Sequence, residues 1–347
     1  MDLPVADAAT FADGSADGLW RYRGWLPAAE PVELGEPRTA LVELSRGATT
    51  VLAKLEGGLP TGSFKDRGTA ATVSWLRSRG AREMVVDSSG NAGASFAAYA
   101  ARARLRLRVF VPEDASPAKL LQVRAHGAVL VPVPGSRSAA GDAALAAVEA
   151  AGPDVAYASH LWQASFLAGT ATLAYEVFEQ LGNRAPDAIV APLGGGTLLL
   201  GAHLGFARLR SAGLIDTMPR LIGVQSNACA PLARAFRAGE PDAVAVEPAP
   251  TIAEGIRIGL PPRSRQILAA IRETSGEIIE VTDDDIRTSL RQLLAQGVFV
   301  EPTAAAAHAG LARLTGRHET IIVALTGHGL KAVRAIDDVV AADREAR

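Results

Sequence analysis

Pro60-Thr61-Gly62-Ser63-Phe64-Lys65-Asp66-Arg67-Gly68 joins two patterns of different period. Before it, Val51-Leu-Ala-Lys-Leu-Glu56 alternates its faces as a short strand does. After it, Ala70, Val73, Trp75 and Leu76 fall at helical spacing within Thr69 to Arg79. The corner therefore sets Lys65 in the first turn of a helix. A cation is disfavoured there, because the helix terminus opposes it by about 0.3 to 1 kcal/mol, and by more when partly buried. A lysine kept partly neutral by such a terminus and by low polarity is what imine formation with a carbonyl group requires. The alternative is a surface lysine snorkelling from a helix start, and the rest of the chain has to decide between the two.

Outward from this corner, short β-branched runs alternate with longer Ala-rich helical patterns. The runs are Met84-Val-Val, Leu107-Arg-Val-Phe-Val, Ala128-Val-Leu-Val-Pro-Val, Ala188-Ile-Val-Ala-Pro, Leu221-Ile-Gly-Val-Gln and Thr320-Ile-Ile-Val-Ala-Leu. Most are continuously apolar, which suits parallel strands buried on both faces. The punctuation is that of an α/β protein with helices on either side of open sheets. At 347 residues and about 150 per domain, two domains or one large lobe with an insertion are expected. Residues 1–18, rich in Ala, Asp and Gly, read as a loose arm. Glu247-Pro-Ala-Pro-Thr reads as a loop.

The composition, 48% hydrophobic and 21% charged with a formal net charge of −2, is that of an ordinary soluble globular protein and gives nucleic acid no electrostatic hold. No apolar run approaches the roughly 20 residues of a membrane span, and the start lacks a leader pattern, so a cytoplasmic protein is expected. Cys229 is the single cysteine, which rules out an internal disulfide and a cysteine-built zinc site. None of the six histidines forms an H-x-x-x-H pair, and no metal is expected.

Ligands of open parallel sheets sit beyond the carboxyl ends of strands, and three such corners carry chemistry. In Asp87-Ser88-Ser89-Gly90-Asn91-Ala92-Gly93, hydroxyls, exposed amides and an amide side chain converge before a helix from Ala94 to Ala103. This is either a carboxylate or phosphate site, or a helix start capped by Ser89 or Asn91. In Pro192-Leu193-Gly194-Gly195-Gly196-Thr197, three successive glycines precede the helix Leu198 to Arg210. Each costs about 0.5 to 1 kcal/mol in ordered structure, which implies a backbone that wraps a guest, and a phosphate is the natural one. A dinucleotide would need a third glycine at Leu199 and an acid where Gln225-Ser226 ends the next strand. Leu325-Thr326-Gly327-His328-Gly329-Leu330-Lys331 closes the last strand. Thr326 offers a neutral hydroxyl to a heteroaromatic nitrogen, while His328 is either an acid/base group or a loop histidine. Glu301 either borders the same site or aids the helix from Ala304 to Leu314. Asp283-Asp284-Asp285 reads as cap and dipole complement, and the Arg102, Arg104, Arg106, Arg108 alternation as a solvated face.

The lysine corner, the Ser-Ser-Gly-Asn loop, the triple glycine and Thr-Gly-His-Gly-Leu-Lys together resemble the fold type II pyridoxal-phosphate enzymes, most of all the threonine synthase group. The likeness runs from Leu19-Trp-Arg-Tyr-Arg and Leu26-Pro27, through Lys54-Leu-Glu-Gly57, to Gly223-Val-Gln-Ser and Leu325 to Lys331. It implies two open, mostly parallel sheets flanked by helices. A large cofactor-binding domain over 19–72 and 160–347 would carry an inserted smaller α/β domain over 73–159.

It also implies pyridoxal 5'-phosphate as cofactor. Lys65 would form the internal aldimine and move protons, and Asn91 would bond the ring oxygen. Gly194, Gly195, Gly196 and Thr197 would bind the phosphate, and Thr326 would meet the pyridine nitrogen. The substrate carboxylate would fall to Ser88, Ser89, Gly90, Asn91 and Ala92. A neutral partner at the ring nitrogen moderates the electron sink and favours elimination and replacement. The implied reaction is conversion of O-phospho-L-homoserine to L-threonine, or a β-elimination or β-replacement on a small amino acid, by a homodimer.

Departures from the family pattern bear on the substrate. Leu59 stands where Asn is common. Gly169-Thr170-Ala171-Thr172 replaces Gly-Gln-Lys-Thr with loss of a basic residue, and Ser159-His160-Leu161-Trp162 stands ahead of it, with Trp162 a candidate to close a more apolar pocket. A phosphorylated substrate needs cationic or multiply hydrogen-bonding partners of its own. From another class, a nicotinamide-dependent oxidoreductase remains the rival reading.

Overall fold

A computed structural model of the chain describes residues 1, 3–117, 120–314 and 319–345. Its ten strands are β1 Leu41–Arg46, β2 Thr50–Leu55, β3 Glu83–Val86, β4 Arg106–Pro112, β5 Val129–Val133, β6 Val155–Tyr157, β7 Ala188–Pro192, β8 Arg220–Ser226, β9 Glu277–Val281 and β10 Thr320–Leu325. They form two sheets in two compact units, the first comprising Met1–Arg38 and Leu59–Thr172, the second Thr39–Gly58 and Leu173–Arg347.

In the first unit β5-β4-β3-β6 run parallel in that order. Period-two alternation splits their side chains between two faces. Met84, Val86, Leu107, Val109 and Val111 enter a core with Phe96, Tyr99 and Phe166, while Val85 and Phe110 meet Ala144 on the other side. Two helices, Lys65–Ser78 and Ala164–Thr170, approach closely because each carries a glycine at the contact. A Cβ on Gly68 would lie 2.5 Å from the Phe166 ring, and one on Gly169 would lie 2.1 Å from the Arg67 carbonyl oxygen. This packing ties Leu59–Thr172 into one unit, so the division falls elsewhere than the expected 73–159 insertion, and Lys65 belongs with the four-stranded sheet.

The N-terminal residues, expected as a loose arm, are tied down. Phe11 is buried, with ring centroids 5.5 Å from Tyr22 and 5.0 Å from Trp25. Trp25 Nε1 donates to the Asp7 carbonyl at 3.1 Å. Aromatic burial outweighs the small, polar composition of this stretch.

In the second unit the order is β1-β2-β10-β7-β8-β9, antiparallel only between β1 and β2. The central β7 is buried throughout and β10 nearly so. Ala304 to Ala307, in the helix Pro302–Gly310, present small side chains to a core of Val190, Ile222, Val224 and Val323. The chain leaves the carboxyl end of β2 at Leu55 and enters the first unit at Leu59, six residues before Lys65. Among the described residues no helix is long and apolar enough to cross a membrane, and no group of three or more His, Cys, Asp or Glu could hold a metal ion.

Candidate active site

The lysine helix starts at Lys65, with Phe64 as N-cap and no side-chain cap bond. The next residue supplies the lock instead. The Asp66 carboxylate, fully buried, accepts from Thr61 N at 2.7 Å, Thr61 Oγ1 at 2.6 Å and Ser95 Oγ at 2.6 Å. A buried carboxylate is tolerable only with such bonds, and an acid in the first turn complements the helix terminus. The lock fixes the turn through Pro60 to Phe64 and with it the backbone of Lys65. The half-buried lysine sets Nζ 4.3 Å from the Phe64 ring centroid and 5.8 Å from that of Phe166.

The Ser88 to Ala92 corner follows β3. Gly90, in extended conformation, is the N-cap of the helix Asn91–Ala103, and no side chain caps it, so neither Ser89 nor Asn91 takes that role. Without a β-carbon at the cap and without a competing side-chain oxygen, the opening amides of this helix suit a carboxylate. The adjacent strand β6 ends in a second corner, which sequence reasoning did not count as part of the site. There His160 is buried, its Nδ1 has no hydrogen-bond partner, and its ring meets Phe166 edge-on at 5.8 Å. Burial, reinforced by the charges of Lys65 and Arg137, holds its pKa well below the usual histidine range. The imidazole is neutral at ordinary pH. Trp162, expected to close an apolar pocket, is 54% exposed.

Three corners of the second unit matter. Gly196 adopts φ +72° as N-cap of the helix Thr197–Ser211, and a Cβ there would also collide with Ile267 Cδ1. Gly194 lies so close to the backbone of Ile256 that a Cβ would come within 2.9 Å of its Cα. Thr197 is buried at the helix start. The arrangement is a backbone cradle at a helix N-terminus, suited to a phosphate dianion. Gln225 is buried as a structural tie: its Nε2 donates to the Leu193 carbonyl at 3.1 Å and its Oε1 accepts from Ala233 N at 2.9 Å. It therefore offers nothing to a ribose.

At the end of β10 the Thr326 hydroxyl is buried without a hydrogen-bond partner. Such an orphan costs about 1 to 3 kcal/mol unless a ligand satisfies it. Glu301, nearly buried, is N-cap of the helix Pro302–Gly310, and its carboxyl stands against Gly327. His328 is a loop histidine: its Nδ1 accepts from Leu330 N at 3.2 Å and its ring packs on Phe299. Thr282, rather than the aspartates alone, caps the helix Asp283–Ala295 in a capping box with Asp285. Cys229 is buried, and burial pushes its thiol pKa up, which leaves it quiet.

Comparison with known proteins gives the family. Residues 32–327 match the family described as pyridoxal-phosphate dependent enzyme. The chain is 33% identical to threonine synthase of Methanosarcina acetivorans over 92% of its length and 82% of that protein. It is 34% identical to threonine synthase of Methanocaldococcus jannaschii, over 93% and 84%, and 34% to that of Mycobacterium tuberculosis, over 89% and 87%. Among solved structures, a threonine deaminase of T.th. superposes with TM-score 0.71 at 29% identity, covering 84% of this chain and 92% of that one. An L-serine ammonia-lyase of Rhizomucor miehei, at 22% identity and TM-score 0.75 over 90% and 99%, shares the fold. With a matched pattern spanning most of its length and relatives this similar over nine-tenths of it, the chain belongs to the pyridoxal-phosphate-dependent enzymes of fold type II.

Proposed function

We propose that this protein is a threonine synthase-like lyase that converts O-phospho-L-homoserine to L-threonine and phosphate. The observation that carries this reading is the one-third identity to proteins named threonine synthase over about nine-tenths of the chain. The residues present fit the cofactor. The orphaned Thr326 hydroxyl wants an acceptor of the kind a pyridine nitrogen offers, and the Gly194 to Thr197 bend is a cradle that β-carbons would fill. Bound pyridoxal phosphate supplies an electron sink that makes the substrate α-proton removable.

The chain's own groups do the rest in this reading. Lys65 holds the cofactor through Nζ and carries protons to and from the substrate. Asn91 bonds the ring oxygen. Gly194, Gly195 and Gly196 offer backbone amides to the phosphate, with the Thr197 hydroxyl beside them. Thr326, being neutral, donates to the ring nitrogen without charging it. Ser88, Ser89, Gly90 and Ala92 grip the α-carboxylate with the uncapped helix start. The reading has a homodimer act on a small amino acid in the cytoplasm, without nucleic-acid or membrane partners.

A second reading, β-elimination or β-replacement on an unphosphorylated amino acid, is favoured by the segment that departs from the family pattern. The Thr170 hydroxyl is turned back on its own helix, 3.1 Å from the Phe166 and Leu167 carbonyls, and Ala171 is a buried methyl. Gly169 to Thr172 contributes no cation of its own for a second phosphate, and the guanidinium that reaches it, Arg67, donates to Thr172 Oγ1 at 3.1 Å. Incubating the purified holoenzyme with O-phospho-L-homoserine, and separately with L-serine and L-threonine, distinguishes the two. Phosphate with threonine is the expected outcome. Keto acids from serine or threonine, with phosphohomoserine untouched, establish the second reading. A colourless protein that binds a nicotinamide overturns both.

A further inference from the structure

We propose that His160 is a specificity residue of the Lys65 site, hydrogen-bonding a hydroxyl on the side chain of the bound amino acid, whether that is the threonine product or a hydroxy amino-acid substrate. The inference rests on reading Lys65 as the cofactor-bearing lysine and names what the bound amino acid carries beyond its carboxylate and amine. Four observations, all within the first unit, lead to it.

The strands β3 and β6 are parallel neighbours, so the Ser88 to Ala92 corner and the His160 corner open at the same, carboxyl-terminal rim of the sheet. Phe166 neighbours both the imidazole and the lysine, 5.8 Å from the His160 ring centre and 5.8 Å from Lys65 Nζ, so all three belong to one cluster. An amino acid held by its carboxylate at the first corner, with its amine on the cofactor in place of Lys65, would have only its side chain left to meet another group on that rim.

His160 is 4% exposed, and its Nδ1 is buried with no hydrogen-bond partner. Buried ring nitrogens are nearly always satisfied, and a ligand that completes the bond gives such a nitrogen its reason to be there. Finally, burial beside Lys65 and Arg137 keeps the ring uncharged. A neutral imidazole recognises a neutral hydrogen-bonding group and adds no cation for a phosphate ester. A hydroxyl is the smallest group that fits, present in threonine and serine alike.

The test compares L-threonine with L-2-aminobutyrate, the same carbon skeleton without the hydroxyl. Their affinities for the holoenzyme are read from the change in the cofactor's visible band on rapid mixing, for the wild type, His160→Phe and His160→Asn. The wild type should prefer threonine by about threefold to tenfold, the worth of one hydrogen bond. His160→Phe should lose that preference while retaining the affinity for 2-aminobutyrate. His160→Asn, whose amide can reach near the Nδ1 position, should recover part of it. In parallel, the nitrogen NMR signal of His160 Nδ1 in the labelled wild-type holoenzyme, assigned by its absence in the variants, should move with threonine and not with 2-aminobutyrate.

A folded His160→Phe enzyme that keeps the full preference, or a signal indifferent to the hydroxyl, overturns the proposal. If neither ligand alters the visible band, the reading of Lys65 fails instead, and the His160 signal still decides whether a hydroxyl is bound there.

Discussion

Lys54 and Lys65 are close in sequence, yet their surroundings ask opposite things of an ammonium group. Lys54, near the end of β2, is fully buried, and its Nζ donates to Glu176 Oε2, the Thr39 carbonyl and Gln180 Oε1, each at 2.8 Å. The same network includes buried Glu56, whose carboxylate accepts from Thr39 Oγ1 at 2.8 Å. Lys65 opens a helix, half-buried, with the ring faces of Phe64 and Phe166 beside its amine. One lysine is held as a charge by a carboxylate in direct contact with its amine. The other is held in position by a carboxylate, Asp66, whose oxygens accept from Thr61 and Ser95. Burial alone therefore does not mark a lysine for reaction, since the more deeply buried of the two is the one held in an ion pair.

The sharpest way to break this contrast is to remove each amine. Lys65→Ala should lower turnover by on the order of a thousandfold or more, the scale of losing a covalent catalytic group. It should also abolish borohydride fixation of the cofactor, with the melting temperature little changed. A variant that keeps near-normal turnover would remove Lys65 from the chemistry. Lys54→Ala should do the reverse. It strands the Glu176 carboxylate in the core, at a cost of about 3 to 5 kcal/mol in denaturant unfolding. Replacing Lys54 with Met and Glu176 with Leu together should cost less than the single change, because neither partner is then left as a lone charge. Equal losses would mean that the pair is not what matters.

Asp66→Asn sharpens the second half of the contrast. The amide keeps the shape but weakens three charge-assisted bonds, so a loss of about 1 to 3 kcal/mol is expected. Turnover should fall through misplacement of Lys65. If stability falls while turnover per folded molecule is unchanged, Asp66 supports the fold and not the lysine.

How much of this could be seen in the sequence follows from the range of each interaction. The glycine bend, the Thr326 corner and the lysine corner were legible because a residue type at a strand end states its own constraint: Gly196 needs φ +72°, and no other residue adopts that cheaply. The continuous apolar runs likewise announced β3, β7, β8 and β10.

Strands β1, β6 and β9 were not read. β1 and β9 are outermost strands of the six-stranded sheet and carry polar residues at positions that are not buried, and β6 is a three-residue edge strand, so none has the apolar continuity of a buried strand. The Asp66 lock escaped notice because its Ser95 partner lies 29 residues away. It has a local half, however: Thr61 and Asp66, five apart across a turn, could have been flagged as a carboxylate closing its own corner. His160 escaped because nothing in Ser159-His160-Leu161-Trp162 tells which side chain turns inward. The aromatic Trp162 was the natural candidate, and the structure exposes it. The N-terminal residues were read on composition, which gave no weight to Phe11 and to the Trp25–Asp7 bond that anchor them.

Two histidines differ in whether a ring nitrogen has a hydrogen-bond partner. His308 Nδ1 is 2.8 Å from Ser289 Oγ, whereas His160 Nδ1 has no partner, yet burial lowers the pKa of both. Each folded-state pKa lies below the unfolded value of about 6.5. As pH falls through that value the unfolded chain takes up protons that the folded chain refuses, so stability falls with acidification and is fully present above it. The loss can reach about 1.4 kcal/mol per pH unit for His160, and less for the partly exposed His308. Denaturant unfolding between pH 7 and pH 5 should therefore show a slope that shrinks in His160→Asn and shrinks less in His308→Asn. Carboxylates held low, such as Asp285 bonded by Thr282 and Arg313, act only at more acid pH and leave this window to the histidines. A slope unchanged by His160→Asn would mean that the imidazole charges freely in the folded protein. It would then be a cation beside Lys65 and no longer a neutral partner for a hydroxyl.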